Sequence, residues 1–273
     1  MFRRRHHQAI GRILQQLNGD LLREHHCYFG GGTAIALLQD EYRESVDIDF
    51  LISDKEHYRE LRNLLTDSTG IYSIAKEGAK LVLAREIKAD QYGIRTAIQS
   101  GDTSVKFEIV LEGRIVFDEQ SPRNNVENIS TLTKLDLLTS KLLANSDRWN
   151  DSVVYSRDIL DLVMLSPTKQ EFDAALKKAY QAYGDAIHRD LNRAANKLLN
   201  EDESLDTCMR MLKIDLPKAL LWQKLNDLMR DHMKILENNL AAKLKTASND
   251  DLKKFIDQKL KSIDHILEYL KDK

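Results

Sequence analysis

Cysteine is scarce in this sequence, and long apolar runs are missing. The 273 residues include two cysteines, Cys27 and Cys208, far apart in the chain. Such usage does not describe a disulfide framework and is typical of a reducing compartment. No run approaches the roughly 18 apolar residues of a membrane span. Polar residues also interrupt any apolar core of a signal peptide near the basic N-terminus: Gln8, Arg12, Gln15 and Gln16. We therefore expect a soluble cytoplasmic protein without a membrane partner.

The sequence also lacks an excess of charge of either sign. Its formal net charge is −2, although 31% of the residues are charged. No overall basic field indicates a nucleic-acid partner, so RNA binding would require a local cationic patch. Candidate residues for such a patch follow one another in the C-terminal half: Lys169, Lys177, Lys178, Arg189, Arg193 and Lys197.

One stretch, residues 28–54, combines a glycine loop with a pair of carboxylates. Gly30, Gly31 and Gly32 precede Thr33 and a short apolar run. Glycines at a helix entrance let the backbone approach a ligand, and the free N–H groups of the first helical turn favour an anion such as phosphate. Thr33 would provide an N-cap or first-turn hydroxyl beside that anion. The stretch therefore predicts a phosphate site.

Two aspartates follow the glycine loop and alternate with apolar residues. Successive side chains of a strand point to opposite faces, so Asp47 and Asp49 would share one face. The apolar residues would face the interior: Val46, Ile48 and Phe50. An isolated Asp-x-Asp is usually a solvated pair, but like charges this close repel unless a cation or donor lies between them. Together with the glycine loop, the pair predicts a Mg²⁺ site and nucleotide chemistry.

This order of residues resembles the first motif of the DNA polymerase β-like nucleotidyltransferase superfamily. The motif consists of Gly31-Gly32-Thr33, then Arg43, Ser45, Asp47 and Asp49. Its form, GGTA followed by R-x-S-x-D-x-D, looks most like the AbiEii/AbiGii toxin family of bacterial toxin–antitoxin and phage-defence systems. The resemblance implies an enzyme that needs Mg²⁺ or Mn²⁺ and uses a nucleoside triphosphate.

A third carboxylate lies in a predicted strand further along the chain. Apolar residues alternate along residues 105–110, which would place Lys106 and Glu108 together on the opposite face. Burying an unpaired glutamate is costly, so Glu108 is either solvated on an open sheet face or part of a site. The resemblance implies the second alternative, because superfamily members carry an acid of the metal site on a neighbouring strand.

Two further motifs of the resembling family occur in the helical part of the sequence. Residues 141–144 match K-hydrophobic-x-A, and residues 157–162 match R-D-x-x-D-hydrophobic. A single lysine or aspartate on a helix is most often solvent-facing. The resemblance instead implies that Lys141 neutralises triphosphate charge and that Asp158 orients Lys141 or a sugar hydroxyl.

The resemblance also implies a mechanism. Asp47, Asp49 and Glu108 would be catalytic and would hold two divalent ions, with Glu108 helping to deprotonate the acceptor hydroxyl. Phosphate-binding residues would lie around them: Gly31, Gly32 and Thr33, with Ser45 as a candidate donor and Arg43 as a candidate positive charge. This sequence departs from the family pattern at the acidic pair Asp40 and Glu41. We expect this pair to add negative charge near the phosphates.

The biological setting follows from the same resemblance. Family members transfer nucleotides to RNA, in some cases to tRNA acceptor ends, and act as toxins that have an antitoxin. Two alternatives stay open at this point. The acceptor could be a protein or a small molecule such as an antibiotic, or the chain could be a non-catalytic nucleotide-binding module.

The periodicity of the sequence predicts an α/β (α+β) protein with two domains. Residues 1–125 would form a nucleotidyltransferase domain with a mixed sheet flanked by helices, and residues 126–273 an all-helical domain. A helix over residues 3–26 would lead into the glycine loop. Further strands are predicted at 81–84, 92–98, 105–110 and 115–117. The polar residues 121–125 would mark the boundary, after which no strand is expected.

Two histidine pairs raise the question of a zinc site. His6-His7 and His25-His26 each lie in the predicted N-terminal helix, and Cys27 adjoins the second pair. Neighbouring residues on a helix diverge by about 100°, so neither pair forms a chelating face by itself. The sequence therefore does not predict zinc binding here.

Overall fold

The computed structural model of this chain describes residues 2–120, 124–201, 203–246 and 249–271. Its α-helices are α1 (Arg5–Leu14), α2 (Gly19–Glu24), α3 (Gly31–Leu38), α4 (Lys55–Thr66), α5 (Lys134–Arg148), α6 (Arg157–Met164), α7 (Lys169–Tyr183), α8 (Ala186–Asn200), α9 (Ser204–Met211), α10 (Lys218–Thr246) and α11 (Asp250–Lys271). Its strands are β1 (Tyr28–Phe29), β2 (Ile48–Ile52), β3 (Val82–Ala89), β4 (Gly93–Ser100), β5 (Thr103–Leu111), β6 (Asn125–Val126) and β7 (Ile129–Ser130). The predicted α+β class, with helices around a mixed sheet and a helical C-terminal part, is confirmed.

Among the described residues, five strands form one mixed sheet in the order β1-β2-β5-β4-β3. The central strands β2 and β5 run parallel, and the other neighbours are antiparallel. Phe29, Phe50 and Phe107 pack in a row across β1, β2 and β5, with tilted rings whose centroids are 5.8 and 5.5 Å apart. One face of the sheet is therefore closed by apolar packing, and the acidic side chains of β2 and β5 belong to the opposite face.

Helix α3, which follows the glycine loop, belongs to two hydrophobic cores. Ala34 and Leu37 pack with the sheet and the N-terminal helices. Ile35 and Ala36 pack with the core of the helices that follow residue 131. The glycine loop therefore opens at the junction of the two cores. The division into domains at residue 125 stays a prediction, and residues 121–123 of the predicted boundary lie outside the described part of the chain.

The prediction of one helix over residues 3–26 is wrong. The chain breaks between α1 and α2, where Leu17 is buried and bridges to Ala75. Asn18 then starts α2, because its side chain accepts a hydrogen bond from the backbone N–H of Leu21. The amphipathic pattern is continuous across residues 3–26, but the N-cap residue Asn18 begins a second helix within it.

Three details of the predicted strands are also wrong. Residues 115–117 are not a strand, although Ile115 and Phe117 are buried and the N–H of Phe117 donates to Ser53 Oγ. Val46 is 40% exposed rather than interior, because β2 begins only at Ile48. A short antiparallel ribbon, β6 with β7, follows residue 124 where no strand was expected.

Candidate active site

The glycine loop lies directly against β2. The N–H of Gly30 donates to the carbonyl oxygen of Asp49, and Gly31 begins α3 with φ +66°, in the left-handed region that glycine favours. A Cβ at residue 31 would lie 2.6 Å from Asp49 Oδ2. At Gly32 a Cβ would collide with Arg43 Nη2. Side chains at these two positions would therefore displace charged groups of the candidate site.

Asp49 and Glu108 are neighbours in the sheet. The parallel strands β2 and β5 pair Asp49 with Glu108 in register, which corresponds to a spacing of about 4.8 Å between strands. Asp47 lies just before β2. Burial, together with the negative charges of Asp47 and Glu108, raises the pKa of Asp49 to about 6. The predicted trio of acids is therefore close enough for the charges of Asp47 and Glu108 to oppose the ionisation of Asp49.

Two cations flank Glu108 on the sheet. Lys106 Nζ donates to Glu108 Oε2 at 2.6 Å, and Arg95 Nε lies 3.5 Å from Glu108 Oε1. Burial opposes protonation of Lys106, but its hydrogen bond to Glu108 raises its pKa above the ordinary value. Glu108 thus has cationic partners, whereas the carboxylate of Asp49 borders the glycine loop.

Thr33 and Ser45 contact each other across the loop. Their hydroxyl oxygens are 2.7 Å apart, and Thr33 lies in the first turn of α3 as predicted. The side chain of Thr33 is buried. Any phosphate at this helix start would therefore meet the backbone N–H groups of the first turn, which lack intrahelical partners.

His7 fixes the segment that carries Ser45, a role that sequence reasoning missed. His7 Nε2 accepts a hydrogen bond from the Ser45 N–H at 3.1 Å, so Nδ1 carries the proton that it donates to Glu41 Oε1 at 2.8 Å. Burial lowers the pKa of His7, and the hydrogen bond to Glu41 opposes this shift only in part. The neutral ring therefore connects α1 to both ends of the loop between α3 and β2.

Glu41 is bound by the N-terminal segment. Its carboxylate accepts hydrogen bonds from the backbone N–H groups of Arg3 and Arg4 and pairs with His7. Burial opposes ionisation, but these two N–H groups and His7 lower the pKa of Glu41 to about 2. Glu41 is thus an ionised carboxylate held by the N-terminal segment and His7. The expectation that Asp40 and Glu41 add negative charge near the phosphates stays a prediction.

A buried ion network lies behind the glycine loop. Arg43 donates two hydrogen bonds to Asp161, from Nε at 2.8 Å and from Nη2 at 3.1 Å, and Tyr42 OH also donates to Asp161. Lys141 Nζ lies 2.6 Å from Asp161 Oδ2. Burial opposes ionisation, but Arg43 and Lys141 hold the pKa of Asp161 below its ordinary value.

Asp158 extends the network towards the surface. Lys141 Nζ donates to Asp158 Oδ1 at 2.9 Å. Arg148, the last residue of α5, binds the same carboxylate through Nε at 2.7 Å and Nη2 at 2.9 Å. Burial again opposes ionisation, and the charges of Lys141 and Arg148 hold the pKa of Asp158 well below its usual range.

The structure thus divides the predicted site residues into two groups. The first group surrounds the helix start and the acidic face of the sheet: Gly31, Gly32, Thr33, Ser45, Asp47, Asp49 and Glu108. The second group is buried and internally paired: Arg43, Lys141 and Asp158 are 2, 5 and 2% exposed. The positive charge of Lys141 still lowers the pKa of Asp49, so the two groups are electrostatically connected. Sequence reasoning gave no role to Asp161 or Arg148, which complete the second group.

The structure thus combines a glycine loop at a helix start, acids on β2 and β5 with Asp47 just before β2, and a helical C-terminal part. This combination agrees with the nucleotidyltransferase that the sequence resembles. A sequence model of one such family, described as "Nucleotidyl transferase AbiEii toxin, Type IV TA system", matches residues 12–268. The chain therefore belongs to the AbiEii nucleotidyltransferase toxin family of type IV toxin–antitoxin systems. Family membership also indicates a nucleoside triphosphate substrate and an antitoxin partner.

Comparison with solved structures gives one match. A crystal structure from H. pylori, provisionally described as a nucleotidyltransferase, shares 16% sequence identity with a TM-score of 0.46. The similarity covers 85% of this chain and 95% of that chain. Comparison with curated proteins gives no match. Over the residues that the structure describes, no helix has the length and apolar character needed to cross a membrane.

Proposed function

We propose that this nucleotidyltransferase depends on a divalent metal and moves a nucleoside monophosphate to an acceptor hydroxyl on RNA, with tRNA as the first candidate. The observation that carries the metal dependence is the acidic cluster, in which burial and the charges of Asp47 and Glu108 raise the pKa of Asp49 to about 6. A cluster whose members oppose one another's ionisation is stabilised by a bound cation. Its all-oxygen donor set suits Mg²⁺ or Mn²⁺.

In this mechanism Asp47, Asp49 and Glu108 would hold the metal ions. Bound divalent ions would activate the acceptor hydroxyl and stabilise the charge on the triphosphate. Glu108 accepts the proton of the acceptor hydroxyl. The acceptor oxygen forms a bond to the α-phosphorus, the bond between that phosphorus and its bridging oxygen breaks, and pyrophosphate leaves.

The glycine loop would bind the outgoing phosphates. Gly31, Gly32 and Thr33 present the first N–H groups of α3, and the helix dipole favours negative charge there. Ser45 stays a candidate donor beside Thr33. Lys141 and Arg43 lie on the buried side of the loop. Lys141 adds positive charge there. Arg43 is held by its hydrogen bonds to Asp161 and packs against Gly32. Asp158 orients Lys141, which it contacts directly.

One observation about surface charge favours a second candidate for the acceptor. Several cations of the predicted patch already pair with carboxylates: Lys177 with Asp173, Lys178 with Asp136, and Arg189 with Asp190. Paired cations contribute less to phosphate contacts. A protein or small-molecule acceptor, which needs a smaller cationic surface, is therefore the second candidate.

The test follows label from each α-³²P nucleoside triphosphate, with Mg²⁺, into bacterial RNA and into protein. Wild type is compared with Asp47→Asn, and Asp102→Asn is the matched control because Asp102 is a highly exposed acid that pairs with Arg5 on the surface. We expect labelled RNA with wild type and Asp102→Asn and none with Asp47→Asn. Equal labelling by Asp47→Asn would contradict the metal-ligand role. Label on protein alone would contradict the RNA acceptor and support a protein acceptor instead.

A further inference from the structure

A second group of metal-ligating side chains lies at the far end of β2. Asp49 is near the beginning of this strand, whereas Asp54 follows its end and caps α4. Five residues of extended chain span about 16 Å. Here Asp54 meets His57 from the first turn of α4 and His26 from the turn before β1. Ligand atoms of all three residues lie within 4.8 Å of one another.

Asp54 offers one free oxygen to this group. Its Oδ1 accepts hydrogen bonds from the backbone N–H groups of Glu56 and His57 at 2.8 and 3.0 Å. Oδ1 is therefore occupied by the helix cap, and Oδ2 is available to a cation.

His57 presents an unpaired nitrogen to that oxygen. His57 Nδ1 is buried and has no hydrogen-bond partner among the described residues. It lies 3.8 Å from Asp54 Oδ2, which is too far for a hydrogen bond. A buried nitrogen without a partner is costly, and a metal ion between Nδ1 and Oδ2 would satisfy both atoms.

His26 is held beside His57 by the local backbone and by ring packing. Its φ of 51° ends the turn after α2, and its N–H donates to the carbonyl oxygen of Arg23. Its ring stacks on Tyr28 and meets the ring of His57 edge-on, with centroids 4.6 Å apart. Two imidazoles from separate elements therefore converge on the Asp54 carboxylate, which the local sequence could not reveal.

We infer that His26, Asp54 and His57 form a binding site for one divalent transition-metal ion of the Zn²⁺ class. Two imidazoles and one carboxylate suit Zn²⁺ or Co²⁺, whereas Mg²⁺ prefers oxygen ligands. Tetrahedral Zn²⁺ places neighbouring ligand atoms about 3.4 Å apart. Side-chain rotations that move the ligand atoms by about 1 Å would bring the three residues to this spacing. His26 and Asp54 also line a cleft of about 410 Å³, together with Tyr28 and Glu119.

A metal ion here would join the residues before β1 to the first turn of α4. β1 leads directly into Gly30 and the glycine loop, so the ion would fix the strand that positions the loop. Binding to the folded state alone raises the free energy of unfolding. The site is therefore structural in effect and independent of the acids on β2 and β5.

The experiment measures Zn²⁺ affinity by competition with a chromogenic chelator in excess Mg²⁺, which occupies oxygen-rich sites. The variants are His57→Gln and Asp54→Asn, because asparagine can still cap α4. His25→Gln is the control: His25 lies beside His57, with ring centroids 5.8 Å apart, but its Nδ1 is bonded to the Leu21 carbonyl. Thermal unfolding with and without Zn²⁺ and the absorption spectrum of bound Co²⁺ are measured in parallel.

We expect wild type and His25→Gln to bind one Zn²⁺ and to gain thermal stability from it. Loss of an outer-shell partner costs about 10–100-fold in metal affinity, so loss of a direct ligand in His57→Gln or Asp54→Asn should cost at least about 100-fold. Absence of Zn²⁺ binding by wild type would overturn the inference. So would wild-type affinity in His57→Gln, or loss of binding in Asp49→Asn, which would place the ion at the catalytic acids.

Discussion

The carboxylate of Asp49 occupies the space beside Gly31 that a β-carbon would need. A Cβ at residue 31 would lie 2.6 Å from Asp49 Oδ2 and 3.0 Å from Asp49 Cβ. The backbone of the glycine loop and the side chain of Asp49 on β2 are therefore in contact. The proposed phosphate site and the proposed metal site share this contact. Their relative position therefore depends on residue 31 being glycine, which has no side chain.

Gly31→Ala is expected to reduce nucleotidyl transfer about 100-fold, because displacement of a catalytic group by about 1 Å has effects of this size. Gly78→Ala is the control. Gly78 has φ +76°, and a Cβ there would meet nothing within 4 Å, so this variant shares the backbone strain of about 1–2 kcal/mol but displaces no acid. The measurement is kcat together with the free energy of unfolding. Equal activity of the two variants would show that the contact with Asp49 is irrelevant.

Asp49→Asn is expected to stabilise the metal-free protein at neutral and alkaline pH. Asp49 has a pKa of about 6 when folded, against an ordinary value of 3.8. The folded state therefore binds more protons than the unfolded state between these values, and stability falls as pH rises through this window. Asparagine removes that loss, which is at most about 3 kcal/mol for a shift of about two units.

The measurement for Asp49→Asn is denaturant unfolding with a chelator present, at pH 3 and at pH 8. The gain over wild type should be present at pH 8 and absent at pH 3, where both proteins carry a neutral group at residue 49. Asp102→Asn, at an exposed site, should show no such dependence. A variant less stable than wild type at pH 8 would contradict the raised pKa.

Lys141→Met is expected to lower the free energy of unfolding by about 3–5 kcal/mol, because it leaves the buried carboxylates of Asp158 and Asp161 short of one partner. Lys134→Met is the matched control on the same helix. Lys134 pairs with Glu171, and both side chains are 40% exposed, so its loss should cost no more than about 1 kcal/mol. Urea unfolding at pH 7 compares the two. Similar small losses would mean that the network is not stabilised by Lys141.

His7→Leu is expected to destabilise the protein by roughly 1–3 kcal/mol, because the Ser45 N–H and the Glu41 carboxylate each lose a buried partner. The KM for the nucleoside triphosphate should also rise, since Ser45 contacts Thr33 at the helix start. His6→Leu, at the half-buried neighbouring residue, is the control. An unchanged KM in folded His7→Leu would separate His7 from the nucleotide site.

Much of the fold and of the acidic cluster was predictable, because the relevant signals are local. Period-two alternation located β4 and β5, and the spacing within residues 31–49 placed a glycine loop and two acids in one motif. Glu108 was identified from an apolar strand that carries a single carboxylate. The structure adds the pairing of Glu108 with Asp49, which arises because β2 and β5 are adjacent parallel strands. The catalytic roles of these residues stay predictions.

The supporting contacts were not predictable, because they join residues far apart in the sequence. Arg43 and Asp161 are separated by 118 positions, and His7 and Ser45 by 38. Helical spacing alone does not distinguish Asp161 from a solvated helix residue. The break in the predicted N-terminal helix has the same origin, since Leu17 leaves the helical path to bridge Ala75.

Helix α3 packs into both hydrophobic cores, Ala34 and Leu37 in one and Ile35 and Ala36 in the other. It cannot move with one core without losing contacts in the other, so the loop that precedes it is ordered as soon as both cores have formed. The conformational entropy of that loop is therefore lost during folding. Binding of a triphosphate at the proposed phosphate site would therefore not have to supply that entropy again.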